Sequence, residues 1–226
     1  MKNRAIKRMT ALLLALALCT GAVPHARAAE SLESFADLDR NAWYAQGIRF
    51  CLKNGLMNGY GNRIRIFEPD RPMTRAQFVT ILWRMAGRPR GGLEMQYNDV
   101  PEGEWYTEAV RWALAEDVMS GYTAATFAPG DPITREQIAV LLWRFAQWLN
   151  GGPLPRLTDA FYENYGDRGE VSAYAREAME WACALGIVTG YRDERGAVWL
   201  MPWGNSSRAV VATMLMRFCL DLGLYG

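Results

Sequence analysis

Histidine is nearly absent from this chain, with a single residue, His25, in 226. Cysteine is scarce, with four in all, and lysine occurs only as Lys2, Lys7 and Lys53. No apolar run reaches the roughly 20 residues that a bilayer-spanning helix requires. Each shortage excludes something. His25 falls in the leader described below, so the remaining chain has no residue for a Ser/His/Asp triad, a Cys/His pair, an imidazole proton shuttle or a His-ligated metal. Cys51, Cys183 and Cys219 lie far apart without CxxC spacing, which excludes a disulfide framework and a zinc ribbon. They read as small buried helix residues, and neither a cofactor nor a metal is expected.

The leader itself is legible. Lys2, Arg4, Lys7 and Arg8 precede an apolar run over 11–18, and Ala26-Arg27-Ala28 offers small residues around a cleavage point. Residues 1–28 therefore read as a secretory signal peptide. Cys19 follows Leu18, a poor fit to the small residue that lipoprotein processing prefers. Cleavage after Ala28 removes five bases and no acid, leaving 20 bases against 24 acids and a net charge of −4. A nucleic-acid partner, which wants a basic surplus or stripe, is not expected, nor is membrane insertion after cleavage. Localisation is expected to be secreted.

What is there is a repeat. Gly59-Tyr60, Gly121-Tyr122 and Gly190-Tyr191 recur at intervals of 62 and 69 residues, each after a short hydrophobic phrase. Seventeen residues before each Tyr stands an aromatic, Trp43, Trp105 or Tyr174, and slightly earlier an aromatic-x-Asp phrase ends in Asp37, Asp99 or Asp167. Downstream, Pro69, Pro129 and Pro202 are each followed five residues later by Thr74-Arg75, Thr134-Arg135 or Ser207-Arg208. Apolar residues at helical spacing follow the first aromatic (Trp43, Ile48, Leu52 and their counterparts) and the hydroxyl residue (Phe78, Ile81, Leu82, Met85 and theirs). The unit reads as helix, loop, helix. Three copies, over 31–86, 95–149 and 158–223, with linkers at 87–94 and 150–157, predict an all-α domain. No single copy buries its own apolar faces, so the copies should pack together as one domain with approximate, pseudo-threefold symmetry.

The polar repeats carry the functional expectation. Thr74 with Gln77, and Thr134 with Gln137, fit a capping box, whereas Val210 removes its reciprocal half at Ser207. Arginine at the first helical position is mildly unfavourable beside the positive end of the helix dipole. Its threefold recurrence suggests that a negative group approaches the helix start, shared between free backbone N–H groups and the guanidinium. The competing account is internal, with Asp37, Asp99 and Asp167 forming ion pairs with these arginines. Trp43, Trp105 and Tyr174 could serve as sugar platforms or as staples for the helix start. Arg84, Arg144 and Arg217 recur as well, inside the second helices, so repetition alone does not mark a site.

These residues resemble a known family, the surface-layer homology (SLH) domain. The phrases that carry the resemblance are Asn98-Asp99-Val100-Pro101 with Trp105-Tyr106, Trp112-Ala113 and Gly121-Tyr122; Phe127-x-Pro129; and Ile133-Thr134-Arg135-Glu136-Gln137, close to the family's ITRAE. The third copy matches through Asp167, Val171-Ser172-x-Tyr174-Ala175, Trp181-Ala182 and Gly186-Ile187-Val188-Thr189-Gly190-Tyr191. The resemblance implies a spindle-like, pseudo-threefold helical domain that binds secondary cell-wall polysaccharide attached to peptidoglycan, often through a pyruvate ketal on an amino sugar, in grooves between motifs. Carried over, it nominates Arg75, Arg135, Arg208, Asp37, Asp99, Asp167, Trp43 and Trp105 as polysaccharide-binding residues, with no catalytic residue. Gln77 and Gln137 replace the family's Glu, and Tyr174 stands where the other copies have Trp. The groove depending on Arg208 is accordingly expected to be the weakest or most altered.

The expected function is a non-catalytic wall-binding module, cell-wall or cell-surface associated as the resemblance implies, with the motifs using up the chain. A carboxylate-pair glycosidase would need one singular constellation, and the main break in the repeat, 157–164, is too short to build it. The alternative is an SLH-like helical scaffold that has lost polysaccharide binding and holds another surface protein. It predicts exposed apolar patches and closed Asp/Arg pairs, where the binding reading predicts grooves with accessible arginines.

Overall fold

The computed structural model describes residues 31–61, 63–157 and 162–225. The leader lies outside these residues, as do 158–161 of the break in the repeat. Six α-helices dominate: α1 (Ala45–Lys53), α2 (Arg75–Met85), α3 (Thr107–Ala115), α4 (Arg135–Asn150), α5 (Arg176–Ala184) and α6 (Arg208–Asp221). The odd-numbered helices begin two residues beyond the aromatics that the sequence placed at their starts, so Trp43, Trp105 and Tyr174 stand outside the α-helices, Tyr174 in a short 3-10 turn over Ala173–Ala175. The even-numbered helices open at the hydroxyl residue. Gln77 N–H donates to Thr74 Oγ1 at 3.2 Å and Thr74 N–H to Gln77 Oε1 at 3.0 Å, and the same box closes at Thr134 and Gln137. At α6 only half survives, Val210 N–H to Ser207 Oγ at 3.4 Å. Gly151, at φ 68°, ends α4 in the left-handed conformation that glycine reaches without a Cβ penalty.

The helices pair across copies. The principal helix contacts join α2 to α3, α4 to α5 and α6 to α1. Each copy thus lays its second helix against the first helix of the next, and the third closes onto the first. The expected helix-loop-helix is real as a sequence unit, but the close helix pairs belong to different copies. Apolar stripes drive this pairing: Ile48, Cys51 and Leu52 of α1 and Val211, Met214, Leu215 and Phe218 of α6 are all buried. Gly47 permits close approach, because a Cβ there would meet Thr213 Cα and N at 2.8 Å.

The copies also close on one another through backbone. Met73 N–H donates to Ser206 O at 2.9 Å, Ser206 N–H to Ile133 O at 3.0 Å, and Ile133 N–H to Met73 O at 2.9 Å. One residue from each copy completes this ring, immediately ahead of each capping residue. Met73 and Ile133 are fully buried there, and the buried Ser206 hydroxyl has no hydrogen-bond partner.

One element departs from the all-α expectation. Tyr191–Arg192 and Val198–Trp199 form a short antiparallel hairpin, with Tyr191 opposite Trp199. Its turn is organised by Asp193, whose carboxylate accepts from Arg195 and Ala197 N–H at 2.9 Å each and from Trp199 Nε1 at 2.9 Å. Gly196, at φ 83°, supplies the reversal.

Candidate functional site

The three aspartates do the same local task. Asp37 accepts from Phe67 N–H at 2.8 Å and Glu68 N–H at 2.7 Å; Asp99 from Phe127 and Ala128 N–H at 2.8 and 2.7 Å; Asp167 from Leu200 and Met201 N–H at 2.7 Å each. The second residue of each pair is left-handed, Glu68 at φ 58°, Ala128 at 59° and Met201 at 53°. A left-handed non-glycine residue costs about 1–2 kcal/mol, which two charge-assisted bonds from a single carboxylate can offset. Each Asp thereby holds the bend that precedes Pro69, Pro129 or Pro202.

The arginines reach the same peptides from another copy. Arg75 Nε donates to Phe127 O at 2.9 Å, Arg135 Nε to Leu200 O at 2.8 Å and Arg208 Nε to Phe67 O at 2.8 Å. Phe67, Phe127 and Leu200 are therefore each gripped twice, at N–H by an aspartate of their own copy and at C=O by an arginine of another. The Asp–Arg ion pairs of the competing account do not form among the described residues. Arginine and aspartate are brought together, but through a shared peptide unit.

The helix starts are also occupied. Arg75 and Ala76 N–H donate to Asp131 and Pro129 O, Arg135 and Glu136 N–H to Gly204 and Pro202 O, and Arg208 and Ala209 N–H to Arg71 and Pro69 O. With the third N–H taken by the cap, none of the first three backbone donors of α2, α4 or α6 is left for a ligand. This corrects the expectation of free N–H groups awaiting an anion. The neighbouring carbonyls also explain how arginine is tolerated at the first position, since their negative ends face both the dipole and the guanidinium.

The three guanidinium groups are not equally committed. Arg208 Nη2 donates to Asn58 O at 2.7 Å and Nη1 to Tyr60 Oη at 3.1 Å, with the Tyr60 and Phe67 rings 4.8 and 4.4 Å away. Arg75 Nη2 donates to Ser120 O at 3.0 Å, and its guanidinium lies 4.2 Å from the Tyr122 ring centre and 4.9 Å from that of Phe127. Both side chains are 4% exposed. Arg135, half-buried, keeps only the Leu200 bond, and its terminal nitrogens have no hydrogen bond to any described residue. Burial pulls all three below the usual arginine range. In geometry the Arg208 interface is the most fully bonded of the three, and the irregularity of the third copy shows where Arg135 meets its loop. There the hairpin replaces the simple turn, and Tyr191 is 61% exposed instead of stacked.

Trp43 and Trp105 are 64% and 57% exposed, each resting edge-on against the next residue, Tyr44 or Tyr106. Tyr174, at the matching place, is likewise exposed, but its hydroxyl donates to Glu136 Oε1 at 2.8 Å. The same carboxylate, itself buried, accepts from Ser172 N–H at 3.0 Å and Ser172 Oγ at 2.8 Å. The Tyr174 phenol is pushed well above its ordinary range, first by burial, then by Glu136; Tyr122 adds to the rise and Arg75 opposes it. Sequence reading missed Glu136. The available signal was the repeat itself, which places Ala76 and Ala209 at the equivalent positions.

Three helix starts, each braced by an arginine and an aspartate from different copies, define a repeat-built helical domain. The chain belongs to the S-layer homology domain family, whose model matches residues 34–79, 96–139 and 164–195. It is 27% identical to an endoglucanase of Bacillus sp. (strain KSM-635), over 100% of this chain and 24% of that protein. A surface layer protein of Brevibacillus choshinensis is 28% identical over 63% of this chain and 13% of its own length. A cellulosome-anchoring protein of Acetivibrio thermocellus is 28% identical over 67% of this chain and 33% of its own. The chain spans a third or less of each of these relatives. Family and surface-protein relatives point to a non-catalytic module at the cell surface.

Proposed function

We propose that this chain attaches to secondary cell-wall polysaccharide on peptidoglycan, and that its grooves accept an anionic, pyruvate-ketal-bearing amino sugar. The observation that carries this reading is the pairing of exposed aromatics with partly uncommitted arginine. Trp43 precedes α1, which packs on α6 of the third copy, and Arg135 grips Leu200 in a loop of that same copy; in this reading the two share one groove. Sugar rings stack on an exposed indole, while the planar fork of Arg135 matches a ketal carboxylate in two bonds. One step around the cycle Arg208 is already bonded to two carbonyls and a phenol, so this reading rests on the Arg135 groove first. Approximate threefold packing, with the Met73–Ile133–Ser206 ring at its centre, belongs to this reading, as do motif boundaries at 31–86, 95–149 and 158–223. Asp37, Asp99 and Asp167 act as supports, holding the loops that present the groove walls.

The test is co-sedimentation of the mature chain with wall sacculi before and after acid extraction of their secondary polymers. Binding should disappear with the polymer, and Trp43→Ala and Arg135→Gln should each weaken it about tenfold or more. A folded protein that ignores intact sacculi would overturn the proposal. A second reading, a scaffold for another surface protein, is favoured by one observation: the third copy exposes Tyr191, Met201 and Trp203 (61%, 51% and 61%). The closed Asp/Arg pairs that this reading requires are not formed among the described residues.

A further inference from the structure

The third copy departs from the other two in the loop between its Gly-Tyr and its proline. Nine positions separate Tyr191 from Leu200, against seven from Tyr60 to Phe67 and five from Tyr122 to Phe127. The added length forms the hairpin, which carries Trp199 where the other copies have Ile66 and Thr126. That indole is fixed from two sides. Its Nε1–H donates to the Asp193 carboxylate at 2.9 Å, and the same carboxylate ties the turn through Arg195 and Ala197 N–H. Its six-membered ring lies face-on over Gly166, since a Cβ built there would meet Cζ3, Cη2 and Cε3 at 3.0, 3.1 and 3.2 Å. Three neighbouring ring atoms at nearly one distance mean a face, because an edge would bring one atom close and leave the others well behind. Gly166 in turn is anchored to the hairpin, donating its N–H to Val198 O at 2.9 Å. Ala36 and Asn98 take its place in the other copies, so the glycine bed and the indole occur together.

Trp199 nevertheless stays 37% exposed, and Tyr191, directly across the hairpin, 61%. Facing residues of such a pair project from the same side. With its N–H satisfied and one face covered, the indole offers a flat apolar face, oriented before any ligand arrives. Such a face suits the C–H side of a pyranose, and a ring already held loses little freedom on binding. The next residue, Leu200, is fully buried and gives its carbonyl to Arg135. We propose that Trp199, with Tyr191 beside it, is a platform for a neutral sugar adjoining the anionic one held at Arg135, so that the third-copy loop selects ligands of at least two sugars. Trp199 and Tyr191 are then specificity-determining residues, and Asp193 and Gly166 position the indole. This inference rests on the wall-binding reading above and extends it from one sugar to two.

The test is calorimetric titration of the mature protein with a pyruvate-ketal amino sugar methyl glycoside and with the disaccharide that extends it by one β-linked glucose. Wild type should bind the disaccharide about tenfold more tightly. Trp199→Ala should abolish that preference and leave the monosaccharide affinity unchanged, whereas Trp199→Phe, which keeps a flat ring, should retain most of it. Equal wild-type affinity for the two probes, alongside binding to sacculi, would overturn this proposal and leave wall binding intact. A loss in Trp199→Ala that is equal for both probes would overturn it too, since the indole would then only support the loop. Absence of wild-type binding to either probe and to sacculi would overturn both readings together.

Discussion

The Arg208 and Arg135 interfaces begin from the same sequence phrase and end differently. At the first, a guanidinium from the third copy is enclosed by Tyr60 and Phe67 and bonded to Phe67 O, Asn58 O and Tyr60 Oη. At the second, Arg135 makes the one shared bond, to Leu200 O, beside a loop that has grown a hairpin. A repeated arginine is therefore not a repeated function. Where the facing loop returns a tyrosine and two carbonyls, the cation staples two copies. Where it does not, donors remain for something else.

The largest effect should come from the enclosed arginine. Arg208→Ala strands two carbonyls inside an interface and removes one of the two donors to the Tyr60 phenol, and should cost about 3 kcal/mol in urea unfolding. Arg135→Ala, losing one bond, should cost about 1 kcal/mol while weakening wall binding more. Equal costs would erase the distinction between staple and binding residue. Next comes the α1–α6 contact. Helix propensity favours Gly47→Ala by about 1 kcal/mol, yet the new methyl would press on Thr213 backbone at 2.8 Å. A net loss of about 2 kcal/mol is expected in the same unfolding experiment. Ala109 and Ala178 at the matching positions show that the other two helix pairs accommodate that methyl.

A smaller effect, of opposite sign, should follow at the centre. Ser206→Ala removes a buried hydroxyl that has no partner and should raise stability by about 1 kcal/mol, read as a higher urea midpoint with unchanged slope. The last prediction needs alkali. Burial raises the phenols of Tyr162 and Tyr225 to about 12. A raised phenol keeps its proton longer in the folded state than in the unfolded one. Its stabilising share is therefore complete below about pH 10 and is lost as pH rises towards 12. Thermal midpoints should be flat from neutrality to pH 9 and fall above pH 10, less steeply in Tyr162→Phe.

Much of this was legible in the chain. The repeat, the capping boxes at Thr74 and Thr134 and the half-box at Ser207 are all local, set within three or four residues. The family followed from the same ordered phrases. The site was legible as a set of residues and illegible as a set of roles. Nothing in the spacing says that Asp99 and Arg75 meet on opposite ends of the Phe127 peptide, because they belong to different copies and are 24 positions apart. Nor does spacing say that the helix-start N–H groups are filled by loop carbonyls of the next copy.

By itself the sequence determined the number of units, the places where helices start, and which residues recur, since capping and hydrophobic period are short-range properties of the chain. The tertiary structure alone decided which copy pairs with which, which arginine is enclosed and which keeps free donors. It also decided that Glu136, Ser172 and Tyr174 form one cluster. Those outcomes depend on closure of the third copy onto the first, which joins residues more than 140 positions apart, as in the bond from Arg208 to Phe67.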